Sequence, residues 1–174
     1  MRKTSPEIIR SRVIAGLVMP ALLFAAAAHA GTATANLSVT SNITANCTIS
    51  TTPVAFGAYD PISANASTPL TAPGAVSTTC TNGSSATITL DQGANPDTGS
   101  TASVPLRRMA NGSNYMNYGL YSDSGHTATF DGTTGVSVTG TGAQVDTTVY
   151  GSVPAAQNLP TGAYADTVVA TVTF

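Results

Sequence analysis

One stretch constrains this sequence more than any other: Tyr164-Ala165-Asp166-Thr167-Val168-Val169-Ala170-Thr171-Val172-Thr173-Phe174. It reads as a single β-strand. Side chains alternate along a strand, so Tyr164, Val168, Ala170, Val172 and Phe174 share one face, and that face needs cover. The sequence stops at the end of this strand. Either earlier segments pair it on both sides, or a sheet edge is left open. A second alternating stretch lies near the other end, with Ala33, Ala35, Leu37, Val39 and Ile43 apolar and mostly polar residues between them. Alternation alone leaves two readings of each stretch: an ordinary strand of a complete sandwich, or one half of a strand exchange between copies.

Residues 1–30 read as a cleaved secretory signal peptide. Arg2, Lys3, Arg10 and Arg12 make a basic start, an apolar run extends from Val13 to Ala28, and Ala28-His29-Ala30 is a small-x-small site with cutting expected before Gly31. The run contains Pro20 and is shorter than the ~20 residues of a membrane span, so stable membrane insertion is not expected. The remaining chain, 31–174, is long enough for one domain with its own core. Its cationic side chains are Arg107 and Arg108 alone, against seven aspartates, a formal charge of 2 − 7 = −5. That excludes a nucleic-acid partner, which needs phosphate-neutralising cations. Arg107-Arg108 reads as a solvated pair on a strand edge. Cys47 and Cys80 are the only cysteines. In an exported chain they are expected to form a disulfide, the alternative being two buried thiols.

Thr, Ser, Gly, Ala, Val and Asn dominate the exported part, a strand-and-turn composition. Expected strands are 33–43, 45–50, 53–58, 75–82, 85–91, 104–110, 115–122, 127–130, 135–139, 145–153 and 164–174. Segments 60–74 and 92–103 are expected to be loops. Turn signals such as Asp60-Pro61, Asn82-Gly83, Asn111-Gly112 and Asp131-Gly132 punctuate the strands. Many short strands at this spacing predict an all-β sandwich of two antiparallel sheets. Alternation places Ala86, Ile88 and Leu90 inward, then Met116, Tyr118 and Leu120, then Val145, Val149 and Val153.

Catalytic chemistry has no support in the sequence, and neither a cofactor nor a metal is expected. His126 is the one histidine of the exported part and lies in a turn-like stretch, Asp123-Ser124-Gly125-His126, which suits neither a zinc site nor a catalytic triad. The aspartates stand mostly beside Gly or Pro, where capping a turn is the plain role. The glycines follow turns and form no phosphate loop.

Several segments together resemble the spore coat protein U domain family, the pilin subunits of archaic chaperone–usher pili in Gram-negative bacteria. They are Ala45-Asn46-Cys47-Thr48-Ile49, Val54-Ala55-Phe56-Gly57-Ala58-Tyr59-Asp60-Pro61, Thr79-Cys80-Thr81-Asn82-Gly83, Met116-Asn117-Tyr118-Gly119-Leu120-Tyr121-Ser122-Asp123, Val149-Tyr150-Gly151 and Leu159-Pro160-Thr161-Gly162-Ala163-Tyr164-Ala165-Asp166-Thr167-Val168. The set runs in order through nearly the whole exported chain. Phe174 stands where the family often ends in Tyr, and Phe130 where it often carries Trp.

The resemblance implies an incomplete immunoglobulin-like sandwich, 44–174, lacking its final strand. It implies an N-terminal donor-strand arm, 31–43, presenting Ala33, Ala35, Leu37, Val39 and Ile43. The strand carrying Tyr164, Val168, Ala170, Val172 and Phe174 would border the vacant groove. A periplasmic chaperone would fill that groove first, and at an outer-membrane usher the arm of the next pilin would replace it, building a head-to-tail surface fibre for attachment and biofilm formation. A tip-proximal, glycan-binding subunit and a secreted coat protein are the competing readings.

Overall fold

The computed structural model describes residues 29–174; the basic start and apolar run of the expected signal peptide lie outside them. The chain divides into two units at Thr40. In the first, residues 29–40 have no regular secondary structure and are exposed. The second, Ser41–Phe174, holds the eight strands found among the described residues.

The strands are β1 (Cys47–Thr52), β2 (Leu70–Cys80), β3 (Ser85–Leu90), β4 (Arg107–Asn111), β5 (Asn114–Tyr121), β6 (Val136–Thr139), β7 (Gln144–Val153) and β8 (Ala170–Thr173). They form an all-β, immunoglobulin-like arrangement of a five-stranded sheet, β1-β2-β7-β5-β4, and a three-stranded sheet, β6-β3-β8, antiparallel throughout. The inward rows meet between the sheets as expected. Val76, Ile88, Leu90, Met116, Tyr118, Leu120, Phe130, Val149 and Val153 make one buried cluster, each large aliphatic side chain stabilising the fold by roughly 1.5–3 kcal/mol. Val145 is only half-buried, near the outer end of β7.

Local chemistry accounts for the turns. Gly112 has φ +60° at the first position of the two-residue β4–β5 hairpin, a conformation that glycine adopts without a Cβ clash. Aspartates cap other turns as expected: Asp60 accepts from the N–H of Ile62 and Ser63, and Asp131 from those of Thr133 and Thr134. Asp123 accepts from Ala128 and Thr127, and these bonds hold its carboxyl below the usual range. Cys47 and Cys80 are direct cross-strand partners and form the expected disulfide.

Several expected strands are absent or shorter. Residues 33–43 are in no ladder, 53–58 are in none, and 127–130 contribute one isolated bridge, Thr129 to Tyr121. The expected loop 60–74 ends early, because β2 begins at Leu70. Pro73 concealed this, since proline cannot donate to a ladder. It lies beyond Ala75, where pairing with β1 stops, so that stretch of β2 has β7 as its one strand neighbour. The terminal strand is confined to Ala170–Thr173; upstream, Asp91 N–H still reaches Val169 O and Ala94 N–H reaches Thr167 O, but carboxylates enter the pairing. Asp91 Oδ1 accepts the N–H of Val169, and Asp166 Oδ1 accepts that of Ala94.

The arginines are not a solvated pair. Arg107 is 2% exposed. Its guanidinium donates to the carbonyls of Leu90 (3.0 Å), Asp91 (2.8 Å) and Phe130 (2.8 Å), so a β4 side chain braces the far sheet. Burial lowers its pKa, offset in part by Tyr118, Asp91, Asp166 and Asp131. Arg108 pairs with Asp97 at 2.9 Å and stacks over the Tyr115 ring. Nothing local in the sequence announces the three carbonyls that make Arg107 tolerable in the interior.

Two outcomes are expected in denaturant titrations. Arg107→Met leaves three buried acceptors unpaired and lowers stability by about 3 kcal/mol, whereas Arg108→Met, at a partly exposed ion pair, costs under about 1 kcal/mol. Replacing both cysteines by serine removes the constraint on a loop with a sequence separation of 33 and costs about 3–4 kcal/mol.

Candidate functional site: an open groove between the sheets

The two sheets are not closed along one seam. β1 has β2 as its single ladder partner and β8 has β3, so each sheet ends there in a free edge. The edges come within 8 Å of each other in Cα positions without forming a ladder. On β1, Ile49 pairs with buried Thr78 and so faces inward, yet it remains 38% exposed. An inward isoleucine that far from burial marks missing cover.

A groove of about 1060 Å³ opens between the sheets. Its floor is the core itself: Val76, Leu90, Met116, Tyr118, Leu120, Val149 and Val153. One wall is residues 53–59. Val54 and Phe56 turn inward and rest on bare backbone. A Cβ at Gly151 would fall 2.5 Å from Val54 and 2.8 Å from Phe56, and one at Gly74 would fall 2.6 Å from Val54. The alternation read in the sequence is therefore real, but among the described residues 53–58 make no backbone hydrogen bond. The segment is extended and docked by side chains alone.

The other wall is 157–170. Tyr164, Val168 and Ala170 line it, half-buried, and Val172 packs against the core beyond. Phe174 departs from the expected row: it is 53% exposed and does not join the core. Ala165 exchanges two backbone bonds with Ala110 of β4 (2.8 and 3.1 Å), fixing the start of this wall. At the groove's end the Gln157 amide stands in for a strand residue. Its Oε1 accepts from Asn117 N–H (2.8 Å), and its Nε2 donates to Asn117 O (3.0 Å), past the point where β7 ends. Tyr59 donates to Pro154 O (2.7 Å) and accepts from Gln157 N–H (3.0 Å), tying the two walls together.

Within the inward row of the second wall the polar member is Asp166, between Tyr164 and Val168, a position the sequence alone did not single out. Its carboxylate accepts from the Tyr118 hydroxyl (2.7 Å), Ala94 N–H (3.0 Å) and Asn95 Nδ2 (3.0 Å). Gly93 lies against it at φ +78°, where a Cβ would fall 2.2 Å from Oδ2. Burial raises the Tyr118 phenol well above its ordinary pKa, and the bond to Asp166 raises it further. The phenol thus stays a proton donor. Among the described residues no three His, Cys, Asp or Glu side chains are grouped to hold a metal ion. His126 sits at φ +55°, edge-on to Tyr121 and Tyr150, away from the groove.

Ala33, Ala35, Leu37, Val39 and Ile43 are exposed and in no ladder, with Leu37, Val39 and Ile43 at 87%, 85% and 83%.

Residues 33–171 match the Spore Coat Protein U domain family. The chain belongs to that family. It is 43% identical over 176 residues to Protein U of Myxococcus xanthus, covering 95% of this chain and 98% of that protein. Among solved structures it is similar to a complex from the archaic chaperone–usher Csu pili of Acinetobacter baumannii, the CsuC–CsuE chaperone–tip adhesion subunit pre-assembly complex. The TM-score is 0.53 at 20% identity, over 76% of this chain and 40% of that one. The chain thus spans two-fifths of that neighbour's length, and the likeness bears on the fold.

Tyr118→Phe removes one charge-assisted hydrogen bond and is expected to lower stability by about 1.5–3 kcal/mol. A folded-state phenol pKa above the unfolded value of 10.0 contributes stability below pH 10 that is lost as pH rises beyond it, because the unfolded chain releases the proton first. Denaturant midpoints measured between pH 8 and 11 should fall with pH, and less steeply for Tyr118→Phe.

Proposed function

We propose that this protein is a structural pilus subunit of the chaperone–usher type that polymerises by donor-strand exchange. The observation that carries the reading is the groove: a core left open between two unpaired sheet edges, in a chain that also holds an exposed, alternating apolar segment. Residues 1–30 are read as the export signal, 31–43 as the donor arm and 44–174 as the acceptor domain. Ala33, Ala35, Leu37, Val39 and Ile43 are the donor side chains. Tyr164, Val168, Ala170, Val172 and Phe174 mark the acceptor edge, with Phe174 at its rim.

An apolar interior beside bare backbone groups is an aggregation hazard, and a strand laid in it removes both liabilities. Burying Leu37, Val39 and Ile43 contributes roughly 1.5–3 kcal/mol each, against the entropy of ordering the arm. Residues 53–58, extended and unpaired, offer further backbone groups on the opposite wall. The contact is heterologous, so it propagates head-to-tail. A periplasmic chaperone would cover the groove before assembly and an outer-membrane usher would host the exchange, placing the fibre at the cell surface for attachment and biofilm formation. The Csu neighbour, itself captured with a chaperone, supports that partner class. The family description and the likeness to Protein U support a second reading, a secreted coat protein. The role is read as structural.

Deleting 31–43 should give a subunit that a pilus chaperone still captures but that no longer forms fibres in electron micrographs. Fibres from the deleted chain would refute the arm as donor.

A further inference from the structure

We propose that the arm of a second copy lies antiparallel to residues 164–174 in one register, set by a polar pair between its Ser41 and Asp166 of the acceptor. The inference rests on the donor-strand reading above and fixes which residues meet.

The inward row of the acceptor wall has one polar member, Asp166, between Tyr164 and Val168. The apolar row of the arm, continued at the same period, also has one polar member: Ser41, between Val39 and Ile43. An apolar side chain laid over Asp166 would desolvate a carboxylate without a new partner, and an aspartate there would oppose it. A serine hydroxyl donates to it. Three donors already engage Asp166, and a carboxylate has about four lone-pair sites, so one acceptor position remains.

Setting Ser41 opposite Asp166 fixes the rest. In the antiparallel sense Val39 meets Val168 and Leu37 meets Ala170, a large side chain over a small one. Ala33 then reaches Phe174. The parallel sense would bring Cys47 opposite Val172, but Cys47 is already held in β1 by Cys80.

Backbone parity agrees. The N–H of Leu90 bonds Asp131 O, on the side away from β8, while the N–H of Asp91 bonds Val169 O. The pair of Leu90 with Ala170 is therefore the non-hydrogen-bonded kind, and so is that of Ile88 with Val172. Ala170 and Val172 thus turn their N–H and C=O to the free edge, where Leu37 and Ala35 of the arm would receive them. Thr171 bonds β3 instead, so Asn36, opposite it, forms a close non-hydrogen-bonded pair facing solvent, a geometry suited to a disulfide.

The test expresses the full chain in a bacterial host and reads intermolecular disulfides on non-reducing gels. Asn36→Cys with Thr171→Cys should give a ladder of covalent oligomers. The same arm variant with Val169→Cys or Thr173→Cys, shifted by two residues, should give at least tenfold less. A ladder from a shifted pair overturns the register and leaves strand exchange standing. A cross-linked monomer overturns the second copy as occupant. Absence of product from every pair, in chains that keep the Cys47–Cys80 bond and a β-sheet spectrum, overturns both register and strand exchange. In a second arm, Ser41→Asp lies outside all ladders and should reduce fibre yield at least tenfold, with recovery when Asp166→Asn is added. Native yield from Ser41→Asp, or no recovery in the double variant, overturns the polar pair.

Discussion

The backbone groups of Ala170 and Val172, turned away from β3, are what the rest of this molecule is arranged around. A sheet edge of this kind binds whatever strand meets it, and here it borders an uncovered core. Closing the seam within the chain would have needed one more strand beside β8. Instead, side-chain hydrogen bonds fix each wall to the body of the domain. Asp91 and Asp166 take backbone donors upstream of β8, Gln157 prolongs the ladder beyond β7, and Tyr59 links both walls. The groove keeps its shape because its rim is hydrogen-bonded to the body at points that do not use the free edge.

The same thrift governs charge. Each of the seven aspartates accepts at least one hydrogen bond from the protein. Of the two arginines among the described residues, one is buried among carbonyls and the other is paired and stacked. With the charges committed to turns and braces, the outward faces of the strands are left mainly to threonine and serine. Recognition by such a molecule rests on backbone pairing and apolar fit more than on surface electrostatics.

What was legible in the sequence is what period and local chemistry dictate. The inward rows of β3, β5 and β7 follow from alternation, the β4–β5 hairpin from Asn111-Gly112, and the disulfide from a lone cysteine pair in a chain read as exported. What was not legible depends on partners distant in sequence. Pro73 hid the first half of β2 because its tolerance depends on where β1 ends. Residues 53–58 carry a strand pattern without a strand's bonds. Arg107 next to Arg108 looked like a solvated pair because neither residue announces the three carbonyls that receive the first. Asp166 interrupts an apolar row, a visible signal whose meaning required Tyr118, Ala94 and Asn95 to be placed around it.

The position of the disulfide has a mechanical consequence. Cys47 is the first residue of β1, a short link beyond the segment proposed to reach into a neighbouring copy, and its cross-strand partner lies at the end of β2. In a fibre under tension the pull would enter the domain at Cys47. The covalent link diverts that load straight into β2, which sits inside its sheet between β1 and β7, and so the edge strand β1 is spared from being peeled away.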